Sequence, residues 1–198
     1  MHDPSRPTTG WRPLALVLAA STAGAAVLYR YAPFGVQAYL PWPLLALALF
    51  AGARLPAGLA ILIALGVQGA TDLAFYLDRG WEAVPPVYIA LVLNVFLGRV
   101  VAGRSPSVPR AVGAGALGYV VFFLVTNFGS WIASALPQYN PHTVGSLLLA
   151  YGEGLEFIRT RPGQAFGHLL CCGLLFQAHA VLAKAYFPAE LVGTEVAR

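Results

Sequence analysis

Gln68, Asp72, Asn127, Trp131, Gln164 and His168 are polar residues set inside long apolar runs. They come in pairs four residues apart: Gln68 with Asp72, Asn127 with Trp131, and Gln164 with His168. On a helix, that spacing places both members on one face. A carboxylate, amides, an indole and an imidazole can together hydrogen-bond a solute, stack on its ring or face a cation. A carboxylate in hydrocarbon costs roughly 2.5 kcal/mol or more, so Asp72 is expected to face a protein interior. The simpler role for every pair is to hydrogen-bond one helix to the next.

Nothing in the chain points to catalysis. HExxH, GxSxG and phosphate-loop motifs are missing, and no helix carries paired carboxylates. Cys171 and Cys172 are adjacent. On a helix they would point about 100° apart, which does not suit a disulfide. No Cys/His spacing suits zinc. We expect no enzyme activity, no cofactor and no bound metal.

The elements around these residues are those of a membrane protein. Of 198 residues, 58% are hydrophobic and 10% charged, and the mean hydropathy is +0.69. A soluble domain carries about 25% charged residues. The net charge of +4 comes from basic residues scattered singly between apolar segments, which is not a nucleic-acid-binding pattern.

The fold class is all-α: a polytopic bundle of six transmembrane helices and one external interfacial helix. The expected spans are Trp11–Tyr29, Leu40–Ala53, Ala57–Leu77, Pro86–Ala102, Val108–Leu136 and Pro162–Phe187. The second is short for a span of about 20 residues. The apolar, glycine-bearing stretch 144–158 is too short to cross and is expected to lie at the surface. Residues 11–187 form one transmembrane domain, between tails at 1–10 and 188–198. The first apolar run continues into Tyr29-Arg30-Tyr31 without a clear cleavage site, so a retained span is expected.

Charge supports counting the second span. With six crossings and a cytoplasmic N-terminus, Arg6, Arg12, Arg54, Arg99, Arg104, Arg110, Lys184 and Arg198 fall on the cytoplasmic side. Arg30, Arg79, Arg159 and Arg161 fall outside, among Asp78, Glu82, Glu153 and Glu156. All three polar pairs then lie in the outer halves of their helices, at one level. Aromatic residues of the outer loops (Tyr31, Phe34, Tyr39, Trp42, Tyr76, Trp81, Tyr88, Tyr139, Tyr151) could wall a pocket there, though Trp and Tyr also gather at membrane interfaces. Ala15, Ala19 and Ala23 on the first helix have the spacing of a close-packing face, used within the bundle or by a partner.

Four stretches carry a family resemblance: "PLLALALFAGARLP" from Pro43, "GATDLAF" from Gly69, "FFLVTNFGSWI" from Phe122 and "LLLAYGEGLEFIRTRPGQAFGHLLCCGLLF" from Leu147. The chain resembles, over most of its length, a group of small bacterial membrane proteins defined by a domain of unknown function. That group is similar in turn to the substrate-binding S components of energy-coupling-factor vitamin transporters. The charge distribution over six crossings puts both termini on the cytoplasmic side. The resemblance implies a bacterial inner-membrane protein. It also implies a vitamin-like solute or ion bound in the outer half for uptake. A membrane coupling subunit with ATPases would dock on Ala15, Ala19 and Ala23. The expected contacts are Asp72 as acceptor or cation partner, Asn127 as a bidentate amide, Trp131 as a stacking ring and His168 as a charge switch, with Gln68 and Gln164 beside them. The competing expectation is a structural or assembly protein whose polar residues only fasten helices.

Overall fold

Prolines mark most helix starts in the computed structural model, which describes residues 11–37, 39–102 and 107–187. The elements are α1 (Trp11–Tyr31), the single turn α2 (Phe34–Gln37), α3 (Pro43–Arg54), α4 (Ala57–Arg79), α5 (Pro85–Leu97), α6 (Val108–Ile132), α7 (Val144–Thr160) and α8 (Pro162–Tyr186). Pro43, Pro85 and Pro162 each sit at a first helical position, where the missing N–H is no loss. Pro56 separates α3 from α4, and Gly80, at φ 68°, ends α4 in the left-handed conformation. α5 runs on into a π-helical turn at Gly98–Ala102. α7 opens on a capping box in which Thr143 and Ser146 satisfy each other's backbone N–H. The expected tails at 1–10 and 188–198, Arg6, Arg104 and Arg198, and the side chain of Phe34 lie outside the described residues.

The described residues are helical, and five of the helices are long and apolar enough to cross a membrane. α3 has 12 residues, or about 18 Å, and falls short of a bilayer by itself. It occupies the middle of the bundle. Leu44, Leu45, Leu47, Leu49 and Phe50 are all fully buried, and α1, α4, α5, α6 and α8 all pack against it. A helix apolar on every side is a buried helix, and α3 is that case.

Burial of leucine does not by itself hold such a bundle together, since lipid tails are as apolar as leucine. Close packing does, and glycine permits it. A Cβ at Gly52 would lie 1.9 Å from the Val95 carbonyl oxygen, and one at Gly98 would lie 2.0 Å from that of Leu49. Each glycine thus receives the backbone of the other helix where α3 and α5 cross. α1 turns Ala15, Ala19, Thr22, Ala26 and Tyr29 inward as one stripe. Ala15 and Ala19 are buried in the core that includes α3, and Ala23 packs against that core from a half-buried position. The small residues that α1 leaves exposed are Ala20, Ser21, Gly24 and Ala25.

The charges segregate. Arg54, Arg99 and Arg110 gather at one end, where Arg99 donates to the Leu55 carbonyl and Arg110 to that of Val101. Every acidic residue described (Asp72, Asp78, Glu82, Glu153, Glu156) lies toward the other end.

Candidate functional site

At the acidic end, α4 turns Gln68, Thr71, Asp72 and Phe75 inward. Asp72 is met from three helices. Its Oδ1 accepts from Arg30 Nη2 of α1 at 2.6 Å, and its Oδ2 accepts from the Tyr88 hydroxyl of α5 at 2.7 Å. Gln68 Nε2, one turn away on α4, donates to both oxygens at 3.0 and 2.9 Å. Arg30 and Tyr88 were not among the residues that spacing singled out. The rule that a charge in a membrane segment has a partner points to an outer arginine. It does not say which of the four.

A cavity of about 210 Å³ opens beside this network. Arg30, Gln68 and Asp72 form its polar side, Trp42, Phe75 and Trp81 its aromatic side, and Glu82, Val84 and Val87 complete it. Trp42 is fixed by an edge-on contact with Phe122 of α6, ring centres 4.7 Å apart. Arg30 lies over one side of the Phe75 ring system at 5.0 Å, and Arg79 lies near both Phe75 and Trp81. Gln68 is 3% exposed, and its Oε1 has no hydrogen-bond partner among the described residues. Its Nε2 is spent on Asp72, so the free acceptor faces away from the carboxylate.

The other expected contacts lie elsewhere. Asn127 Nδ2 donates to the Phe123 carbonyl of its own helix at 2.8 Å, and its amide packs on Gly154 of α7, where a Cβ would come within 2.4 Å of Oδ1. Trp131 Nε1 donates to Ser146 Oγ of α7 at 2.9 Å, and its ring meets His142 edge-on. Between them, Gly129 receives the ring of Pro86 at the start of α5. The polar end of "FFLVTNFGSWI" therefore clamps α6 to α7 and α5.

Gln164 is buried at the start of α8, which packs against α1. His168 is fully buried. Its Nε2 donates to the Gly115 carbonyl of α6 at 3.1 Å, its ring stacks on Tyr119, and Cys172 lies one turn away. Gly115 is twelve residues before Asn127 on α6, about 18 Å along the axis. Of the six residues singled out, the structure brings Gln68 and Asp72 to the cavity. It places Asn127 with Trp131 against α7, and Gln164 with His168 against α1 and α6. No group of three or more His, Cys, Asp or Glu side chains among the described residues could hold a metal.

These features define an all-helical, membrane-type bundle with a polar, aromatic-walled cavity at its acidic end. The chain belongs to a family of unknown function, DUF6580, whose model matches residues 11–191. No curated protein and no solved structure matches it.

Proposed function

We propose that this chain is a solute-binding membrane protein of the S-component type, taking a small solute into the cavity at its acidic end for uptake. The observation that carries this reading is the cavity itself. It combines aromatic walls with a few convergent polar groups, the usual make-up of a small-molecule site. One of its lining residues, Gln68, carries a buried acceptor, Oε1, for which the described residues supply no donor. A buried polar atom left unpaired costs about 1–3 kcal/mol, and a bound solute can relieve that cost.

In this reading the chain crosses a bacterial cytoplasmic membrane six times, with α3 as the second crossing. The packing of α3 on α8 supports it. Gly163 of α8 receives Tyr39, Gly167 receives Pro41, and Phe50 meets Phe176 and His179, so the lead-in and α3 accompany α8 from one end toward the other. The end with Arg12, Arg54, Arg99, Arg110 and Lys184 faces the cytoplasm, and the acidic end with α7 faces outward. With Ala15 and Ala19 buried inside the bundle, a coupling subunit would approach α1 on the face of Ala20 and Gly24.

The structural reading has its own support. The oxygens of Asp72 are occupied by donors from three helices of the same chain, Asn127 donates within α6 and packs on Gly154 of α7, and Trp131 donates to Ser146 of α7. Native mass spectrometry of the full chain, released from its own membranes in lipid nanodiscs, decides between the two. A discrete small-molecule adduct that is lost in Gln68→Met while the protein stays folded supports solute binding. A chain carrying only lipid under several growth conditions supports the fastening role.

A further inference from the structure

The charges and free atoms around the cavity define the class of solute, an inference that rests on the solute-binding reading above. Arg30 is paired with Asp72 at 2.6 Å, and Arg79 with Asp78 at 2.9 Å. Glu82, the remaining charged residue of the cavity wall, has no ion-pair or hydrogen-bond partner among the described residues. The local balance is therefore one uncompensated negative charge. The unpaired buried atom, Gln68 Oε1, is an acceptor and asks for a donor. The aromatic side already has cations against it, since Arg30 and Arg79 lie within 5.5 Å of the Phe75 and Trp81 rings.

We propose that the cavity binds a small organic monocation that carries N–H donors, such as a primary ammonium on a compact apolar body. The ammonium would lie on the side of Gln68 and Glu82, with its charge facing Glu82, and the body would lie against Trp42 and Trp81. An inorganic cation fits poorly. Each oxygen of Asp72 already accepts two hydrogen bonds, which leaves Gln68 Oε1 and the rim carboxylate of Glu82 as the available ligands. An anion would meet the unpaired Glu82 with no free cation to offset it. The cavity of about 210 Å³ suits a compact ligand.

The test is a binding titration on the full chain in lipid nanodiscs, read by tryptophan fluorescence and by the shift in Tm. The probes are benzylammonium, its neutral isostere benzyl alcohol, and benzoate. The expected result is that benzylammonium binds at least about tenfold more tightly than either, since hydrogen bonds made by a charged group are stronger than those of a neutral one. Glu82→Gln, at an exposed position, should weaken benzylammonium about two- to fivefold. Gln68→Met should weaken it about tenfold or more. If Gln68→Met does not fold, Glu82→Gln still decides. Equal or tighter binding of benzyl alcohol or benzoate overturns the cation class and leaves solute binding standing. Benzylammonium binding that ignores both substitutions places it outside this cavity and overturns the inference. No binding of any probe, alongside a native adduct, overturns the amine class alone. No probe and no native adduct overturn both readings.

Discussion

Arg30 on α1 and Asp72 on α4 are held 2.6 Å apart, 42 residues distant in sequence, with their side chains 21% and 10% exposed. The pair ties the C-terminal end of the first helix to the wall of the cavity. Removing one partner strands a charge in a mostly buried place, which costs about 3–5 kcal/mol. Asp72→Asn and Arg30→Gln should each lower stability in detergent by an amount of that order. The double variant should cost less than the two added together. Denaturant unfolding of the four proteins measures the coupling, and strict additivity would show that the pair contributes nothing.

The crossing of α3 and α5 gives a second prediction. Gly52→Ala and Gly98→Ala each push a methyl group into a backbone carbonyl, so the helices must part. Each should cost about 1–3 kcal/mol. Gly66→Ala, on α4 with open space where the methyl would go, is the control. It should stabilise by about 0.5–1 kcal/mol through helix propensity. Unfolding midpoints that rank all three alike would refute the close-packing account.

A third prediction concerns the clamp on α7. Trp131→Phe keeps a ring but removes the N–H donated to Ser146. Ser146 Oγ still has the Pro141 or the Thr143 carbonyl as acceptor for its one proton and still accepts from Thr143 N, so the capping turn persists. The loss should be about 1 kcal/mol. It should appear as faster amide hydrogen exchange confined to α7. Faster exchange spread over α3 and α5 would place Trp131 in the core packing instead.

The turn at 137–139 predicts a pH window. The Tyr139 hydroxyl and the Gln138 amide donate to Glu153, 2.5 and 3.0 Å away, and the tyrosine bond, followed by that of the glutamine, holds the Glu153 carboxyl below its ordinary value. A depressed carboxylate stabilises above its unfolded pKa, and that contribution is lost as the pH falls through the folded value. Burial first, then the bond to Glu153, pushes Tyr139 up to about 12. A raised group stabilises below its unfolded pKa of about 10, and that contribution is lost as pH rises toward 12. The contact between α7 and the 137–139 turn should therefore hold from about pH 5 to pH 9 and loosen on either side. Tyr139→Phe should move the acid limb of exchange in α7 to higher pH. An unmoved acid limb would exclude this bond as its cause.

The starts of α1, α4, α6 and α8 were legible: the expected spans begin where the structure has them, at Trp11, Ala57, Val108 and Pro162. Their ends were less legible, with Tyr29 expected for Tyr31, Leu77 for Arg79 and Leu136 for Ile132. α3 read as a doubtful span for a sound reason: its 12 residues depend on neighbours for their place. Which way each helix turns was far less legible. In water, the apolar face of a helix points inward and fixes its rotation. In lipid, Leu62 on the outside and Leu49 on the inside are the same residue type, so hydropathy leaves rotation open. The spacing of Gln68 with Asp72, Asn127 with Trp131 and Gln164 with His168 correctly put each pair on one face. It could not tell that the three faces meet different neighbours. The contacts that decide this, Arg30 to Asp72 and Gly154 to Asn127, are made by residues far apart in the chain.

The central position of α3 also bears on biogenesis. A newly made chain inserts its segments in order, and the second is too brief to hold itself securely in the bilayer. The helices that enclose Phe50 and Leu49, α5, α6 and α8, are all synthesised after it. The segment least able to anchor itself is thus the one the rest of the molecule is assembled around. Until α8 arrives, part of the molecule's most tightly enclosed surface is open to lipid.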